Sequence, residues 1–167
     1  INIDIPPEKI SECLQKAGIA FLFAPKLHAS MKYAIGPRRE LGIRTFFNIL
    51  GPMTNPAGAK RQLIGVYTRS LVETVAGVLA DLGSERAFVV HGADGLDEIT
   101  TTNETFIVEI NNGSIETYTV TPEEFGIARA NPNDLIGGET SEKAEIVNSI
   151  LSGGKGPKTD IVLLNSA

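Results

Sequence analysis

Hydrophobic positions in the middle of the chain change from strand to helix period and back. Residues 63–67 are a short apolar run, and apolar side chains from Leu71 to Leu82 then recur at helical spacing. Residues 86–90 form a second apolar run. Strand, helix and strand within about thirty residues predict a right-handed βαβ crossover with parallel strands.

The helix of this unit carries start and stop signals. Ser70 to Glu73 fit a capping box, and Gly83 follows the last apolar position. The stripe predicted to be buried consists of Leu71, Val75, Val78, Leu79 and Leu82.

The pattern becomes antiparallel after Thr102. Apolar residues alternate from Phe106 to Ile110, Asn112-Gly113 is a strong hairpin signal, and residues 115–120 return. A short helix is predicted from Thr121, a loop over 129–138 and a longer helix over 141–151. The side chains expected to face inward on that longer helix are Ile146, Val147, Ile150 and Leu151. An apolar element of unassigned type begins at Asp160.

The first third of the chain is less regular. Pro6-Pro7 opens a helix that ends before Gly18, and residues 21–24 read as a buried strand. A helix over 29–40 is expected to bend near Gly36-Pro37. A helical turn over residues 46–50 is followed by a loop over residues 51–56.

Composition limits the class of protein. The chain has 167 residues, 42% of them hydrophobic and 21% charged, which is typical of one soluble domain. Its net charge of −5 and the lack of a basic-aromatic pattern argue against nucleic acid as the main partner. No apolar run reaches membrane-spanning length and no signal peptide opens the chain, so we expect a cytoplasmic protein with no membrane partner. The single cysteine, Cys13, is at helical spacing with apolar neighbours and is expected to be buried.

Positive charge is concentrated in one segment. Residues 26–61 contain seven Lys or Arg and a single acid, Glu40. Such a concentration in an acidic chain suggests an anionic ligand, and guanidinium groups suit carboxylates and phosphates. A solvated helix face with Glu40 and Arg44 as an i,i+4 pair explains the same residues without a ligand.

Acidic residues gather where the second strand of the crossover ends. Asp94, Asp97 and Glu98 lie within five positions. A divalent cation with oxygen ligands would neutralise them. Alternatively, Asp94-Gly95 simply supplies turn geometry. His28 is ambiguous in the same way, since it suits a ligand contact and a surface position equally well.

Longer strings resemble a known family. HASMKYAIGPRRELGIRTFFNILGPMTNPAG, RQLIGVY, GSERAFVVHGADGLDEIT, GGETSEKAEI and DIVLLNSA resemble anthranilate phosphoribosyltransferase over essentially the whole chain. The resemblance implies an α/β fold, a partly parallel sheet with flanking helices and an antiparallel hairpin. This is the larger domain of the nucleoside phosphorylase/phosphoribosyltransferase-like fold.

The resemblance also implies that residues 1–167 form a single, incomplete α/β domain. The family's Gly-Thr-Gly-Gly-Asp donor loop and Lys-His-Gly-Asn string do not occur in this sequence. We therefore expect a fragment of a larger enzyme, inactive alone and lacking the family's helical domain. A truncated product kept for a binding role is the other interpretation.

Site residues follow from the resemblance position by position. Arg38 looks like the arginine that holds the anthranilate carboxylate, and Pro25 and His28 resemble residues that line the anthranilate channel. Gly51 and Pro52 resemble the close-packed wall of that site. The family's acidic pair that binds Mg²⁺ corresponds to Asp97 and Glu98. No side chain is implied to act as a catalytic nucleophile, acid or base.

The reaction implied for the intact protein transfers a phosphoribosyl group from phosphoribosyl pyrophosphate to the anthranilate amine, releasing pyrophosphate, in tryptophan biosynthesis. The family commonly forms homodimers, so a dimer is expected. A pyrimidine nucleoside phosphorylase-like enzyme shares the architecture and stays open from spacing alone. A non-catalytic nucleotide-binding module is the third possibility.

Overall fold

The computed structural model describes residues 2–23, 27, 40, 47–55 and 57–166, with the backbone alone for residues 47, 48 and 52. The chain divides into two compact units, Ile1–Gly58 and Ala59–Ala167.

The first unit contains two described helices. Helix α1, Pro7–Ala17, ends at Gly18, whose amide donates to the Leu14 carbonyl at 3.0 Å and whose φ is 74°. This confirms the predicted helix. Helix α2, Phe47–Met53, confirms the predicted helical turn but extends through the start of the predicted loop, which is therefore wrong for residues 51–53. The Thr54 amide and Oγ1 both donate to the Leu50 carbonyl, at 3.0 and 2.9 Å, and so cap the longer helix.

Two other predictions for this unit are wrong. Residues 21–23 do not form a strand, because the described residues of the first unit include no strand to pair with them. Phe21 is 56% exposed. Cys13 is exposed, as α1 contains no buried residue. Of the predicted helix over residues 29–40, only Glu40 is described, and it is helical. The predicted bend lies outside the described residues.

The second unit is built on a four-stranded sheet, which confirms the α/β class. Its strands are β1, Arg61–Gly65; β2, Arg86–Gly92; β3, Thr105–Asn111; and β4, Ser114–Val120. The spatial order is β1-β2-β3-β4, with β1 and β2 parallel and the other pairs antiparallel. The hairpin between β3 and β4 turns at Asn112 and Gly113, whose φ values of 48° and 88° are those the predicted turn requires.

Helix α3, Val72–Asp81, connects β1 to β2 and completes the predicted crossover. The predicted capping box is wrong, because a 3₁₀ turn at Arg69–Leu71 precedes the helix and no side chain caps it. The buried stripe differs in part from the predicted one, with Val75 and Leu79 common to both. The side chains that α3 buries are Val72, Val75, Ala76 and Leu79. Val78 and Leu82, predicted to be inside, are 39% and 55% exposed.

The two faces of the sheet differ in how well they are covered. On the face that α3 covers, Ile64, Ala87, Val89, Val108 and Ile110 are all at most 5% exposed. The opposite face carries a smaller cluster of Val90, Ile107 and Val120, with Phe88, Ile99 and Tyr118 packed against it. Here Tyr118 donates to Glu109 at 2.9 Å; burial and this bond raise the pKa of Tyr118 to about 12.

Short helices complete the unit. Pro122–Phe125 and Pro132–Leu135 are 3₁₀ turns, the first with the capping box of Thr121 and Glu124. Helix α4, Thr140–Leu151, confirms the predicted element. Of its predicted inward residues, Ile146 and Ile150 are half-buried, whereas Val147 and Leu151 are 48% and 80% exposed, so the prediction is wrong for those two. Helix α5, Pro157–Ser166, is the apolar element that the sequence left unassigned. None of the described helices is both long and apolar enough to cross a membrane.

Candidate functional site

The candidate site lies where β1 and β2 end. Because these strands are parallel, their carboxyl ends share one edge, the edge at which open α/β sheets bind ligands. Past β1 the pairing continues, since the Val66 amide donates to the Val90 carbonyl at 3.0 Å. His91 Nδ1 lies 2.8 Å from the Val66 carbonyl, so it must donate there. The two strand ends are thus joined by backbone and side chain.

A tight turn follows β2. The Gly92 amide donates to the Leu96 carbonyl at 2.8 Å, and the Gly95 amide to the Gly92 carbonyl at 2.9 Å. Asp94 Oδ1 accepts from the Leu96 amide at 3.1 Å, which is an Asx turn. The φ of Gly95 is 94°, a region that other residues rarely adopt. Asp94-Gly95 therefore supplies turn geometry, as one interpretation of the sequence proposed.

Both oxygens of the Asp94 carboxylate accept hydrogen bonds from within the protein. Its Oδ2 accepts from Thr100 Oγ1 at 2.5 Å and also from Thr102 Oγ1. Burial pushes the pKa of Asp94 upward, but the hydrogen bonds from Thr100, Thr102 and Leu96 outweigh it, and the net pKa is lowered. This carboxylate therefore ties the turn to the segment before β3.

Asp97 and Glu98 differ from Asp94, because both side chains are exposed. Neither carboxylate forms a hydrogen bond or ion pair with any residue within the described ranges. The acidic cluster of the sequence therefore separates into one structural carboxylate and one outward-facing pair.

Backbone contacts fix the loop that carries the pair. A Cβ added to Gly65 would overlap the backbone carbonyl of Asp97, so glycine is needed there for close approach. On the other side of the pair, Asn165 of α5 accepts from the Ile99 amide and donates to the Ile99 carbonyl, each at 2.8 Å. Ile99 also packs on the cluster of Val90 and Ile107.

The pair suits a magnesium ion by its chemistry. Mg²⁺ prefers carboxylate and water oxygens, and is usually held by one or two carboxylates together with substrate phosphates. Among the described residues no group of three or more His, Cys, Asp and Glu could hold a metal ion. Asp97 and Glu98 would therefore supply part of a coordination shell that waters and ligand oxygens complete.

The other predicted site residues belong to the first unit. Arg38, Pro25 and His28 lie outside the described residues. Gly51 and Pro52 fall within α2, and a Cβ added to Gly51 would meet no described atom within 4 Å.

Sequence reasoning missed Gly65 and Asn165. Both carried a local signal: a glycine inside a strand pattern marks close approach of another backbone, and Asn165 is a lone amide ending an apolar run. Neither signal identifies its partner, since Asn165 and Ile99 are 66 positions apart.

Comparison with known proteins identifies relatives. Residues 1–167 match the model of the glycosyl transferase family, α/β domain. The chain is 57% identical over its whole length to anthranilate phosphoribosyltransferase from Moorella thermoacetica, and covers 49% of that protein. It thus spans about half the length of the curated relatives it matches.

Solved structures give the same picture. Anthranilate phosphoribosyltransferase from Thermus thermophilus superposes with a TM-score of 0.89 and 40% identity, over 97% of this chain and 48% of that one. The Saccharomyces cerevisiae enzyme in complex with phosphoribosyl pyrophosphate and Mg has a TM-score of 0.72 and 30% identity, over 83% of this chain and 40% of that one. The resemblance read from the sequence is confirmed.

Proposed function

The chain belongs to the glycosyl transferase family, α/β domain, and on that premise we propose that the complete polypeptide containing it is an anthranilate phosphoribosyltransferase of tryptophan biosynthesis. The observation that carries the proposal is the exposed pair Asp97–Glu98 on a loop fixed at the carboxyl end of β2. The names of the relatives support the choice of substrates.

In the proposed reaction the anthranilate amine forms a bond to the anomeric carbon of the ribose, the bond from that carbon to pyrophosphate breaks, and the amine loses a proton. Asp97 and Glu98 would hold Mg²⁺, which when bound offsets the charge of the departing pyrophosphate. Consecutive side chains point in different directions, so one carboxylate would bind the ion directly and the other would act through water or a second ion.

The residues proposed to recognise anthranilate belong to the first unit. Arg38 would hold the anthranilate carboxylate through two parallel hydrogen bonds, with Pro25, His28, Gly51 and Pro52 lining the channel. These assignments are supported by the family resemblance. Arg38→Lys tests the two parallel hydrogen bonds, because an ammonium group cannot reproduce them. The KM for anthranilate should therefore rise in this variant. An unchanged KM would return Arg38 to the solvated helix face.

The test of the function uses the complete polypeptide and an Asp97→Asn, Glu98→Gln double variant. Product formation from anthranilate, phosphoribosyl pyrophosphate and Mg²⁺ is followed by the loss of anthranilate fluorescence. The double variant should lose turnover and magnesium dependence together, while calorimetry should still detect anthranilate binding. A Glu73→Gln, Glu145→Gln variant is the control, because it removes the same charge from two exposed helix positions.

Two results would refute the proposal. One is an unmodified polypeptide that forms no product; the other is a double variant with normal magnesium-dependent rates, which would reduce the pair to loop residues.

We propose a cytoplasmic homodimer as the working form, with support from the family resemblance. Light scattering of the complete polypeptide measures its mass directly, and a monomer at working concentration would contradict the dimer.

A further inference from the structure

Asn165 uses its whole amide on backbone groups. Its Oδ1 accepts from the Ile99 amide at 2.8 Å, and its Nδ2 donates to the carbonyls of Ile99 at 2.8 Å and of Ile161 at 2.9 Å. The two bonds to Ile99 reproduce what a neighbouring strand would offer to one residue. Helix α5 thus binds the loop through one side chain.

The place where Asn165 binds is next to the acidic pair. Ile99 follows Glu98 directly, and on the other side the Asp97 carbonyl lies against Gly65. The loop is therefore fixed immediately before and after the two exposed carboxylates. If Ile99 were released, the backbone torsions that aim Glu98 would be free to change.

The geometry points to Asn165 as a positioning residue for the metal-binding pair: by fixing the backbone of Ile99, it orients Asp97 and Glu98 toward the magnesium and pyrophosphate end of the donor. This rests on the proposed function of the pair. Groups that orient metal ligands through a hydrogen bond change metal affinity by roughly 10–100-fold when removed, so an effect of that size is expected.

Only an amide meets the needs of the contact. A carboxylate at position 165 could still accept from the Ile99 amide, but its second oxygen would lie against the carbonyls of Ile99 and Ile161. Asn165→Asp therefore keeps the shape of the side chain but removes the two hydrogen bonds that it donates. Added negative charge by itself would attract a cation more strongly. Loss of the hydrogen bonds and added charge thus predict changes in Mn²⁺ affinity of opposite sign.

The experiment measures metal binding without turnover. Mn²⁺ is titrated into the complete polypeptide with phosphoribosyl pyrophosphate present and anthranilate absent, and free Mn²⁺ is read by electron paramagnetic resonance. Asn165→Ala and Asn165→Asp should both weaken Mn²⁺ binding by about tenfold or more. The affinity for anthranilate should be unchanged in both.

Leu164→Ala is the matched control, because it removes packing from the same helix while leaving the Asn165 amide, and so its bonds to Ile99, in place. Weakening of Mn²⁺ binding by Asn165→Asp but not by Leu164→Ala, with both unfolding midpoints recorded, supports the inference. Unchanged or tighter binding in Asn165→Asp overturns it, and so does an equal loss in Leu164→Ala. Failure of the unmodified polypeptide to bind Mn²⁺ in the presence of donor would instead contradict the proposed function.

Discussion

Three buried threonines near the acidic loop differ in the hydrogen bonds that their hydroxyls form. Thr100, Thr101 and Thr105 are 1%, 0% and 0% exposed. Thr105 Oγ1 accepts from the Thr100 amide at 2.9 Å, and Thr100 Oγ1 binds Asp94 and the Thr102 amide. The buried Thr101 hydroxyl has no hydrogen-bond partner among the described residues. An unpaired buried hydroxyl lowers stability, because it gives up water without replacement.

Thr101→Val should therefore stabilise the protein. The change keeps the shape and removes the unpaired hydroxyl, for a gain of about 1 kcal/mol. Thr100→Val is the contrasting variant and should cost roughly 1–3 kcal/mol, since Asp94 loses a donor. Urea unfolding of the two variants checks both signs. A lower midpoint for Thr101→Val would mean that its hydroxyl has a partner.

The hydrogen-bonded carboxylate of Asp94 should make the stability of the fold depend on pH. Its pKa in the folded state is below the value of 3.8 for an unperturbed aspartate. The stabilisation is then fully present above that value and is lost as the pH falls through the folded pKa. Asp94→Asn should consequently lower the urea midpoint at neutral pH, with a difference that shrinks below about pH 4. A pH-independent difference would show that the charge of Asp94 is irrelevant.

At the scale of elements, β1 and the acidic loop approach each other at one glycine. Gly65→Ala would place a methyl group on the Asp97 carbonyl, and the backbone must shift. Overpacking of this kind costs roughly 1–3 kcal/mol, and the shifted loop should need more magnesium for half-maximal activity. Gly77→Ala in α3 is the control, because nothing lies within 4 Å and alanine suits a helix better by about 1 kcal/mol. Urea unfolding and magnesium titration of both variants should separate them; equal behaviour would contradict the contact.

The crossover and the hairpin were predictable because their signals are local. Asn112-Gly113 sets its own turn, and the apolar periods on either side need no distant partner. The predicted stripe on α3 was right for Val75 and Leu79 and wrong for Val78 and Leu82, which are exposed. A helical period shows which side chains share a face, but the packing partner decides which part of that face is buried. The failure over residues 21–23 is similar, because a strand needs a neighbour that a sequence pattern does not supply.

Of the candidate site, the sequence identified the exposed carboxylates but not the residues that hold their loop in place. Asp97 and Glu98 stand in a string that resembles the family's acidic pair, and the structure leaves both exposed. The local pattern of charges, without the resemblance, could not separate them from Asp94, whose role depends on the hydroxyls of Thr100 and Thr102. The supports, Gly65 and Asn165, depend on contacts across the fold that no local pattern encodes.

At the scale of the molecule, one sheet face remains partly open in the second unit. A cleft of about 610 Å³ lies there, lined by apolar side chains such as Phe88, Ile107 and Phe125. Leu63, on the same face, is 38% exposed. The chain therefore presents apolar surface beside its candidate site.

We expect the 167-residue chain by itself to form no phosphoribosyl anthranilate. It contains neither the glycine-rich donor string nor the second substrate-binding string of the family it resembles. The assay is the same fluorescence measurement, made on chain purified from a host that lacks this enzyme. The control adds the complete polypeptide to the same sample to show that no inhibitor is present. Product from the chain alone would contradict the expectation.

The bond between Asn165 and Ile99 also has a consequence in time. It joins residues 66 positions apart in the sequence. During synthesis the loop with Asp97 and Glu98 leaves the ribosome long before α5 does. The hairpin and the crossover can form first, because their contacts are closer in sequence. The acidic loop is completed only when α5 docks, so protection of the Ile99 amide from hydrogen exchange should be among the last to develop during refolding.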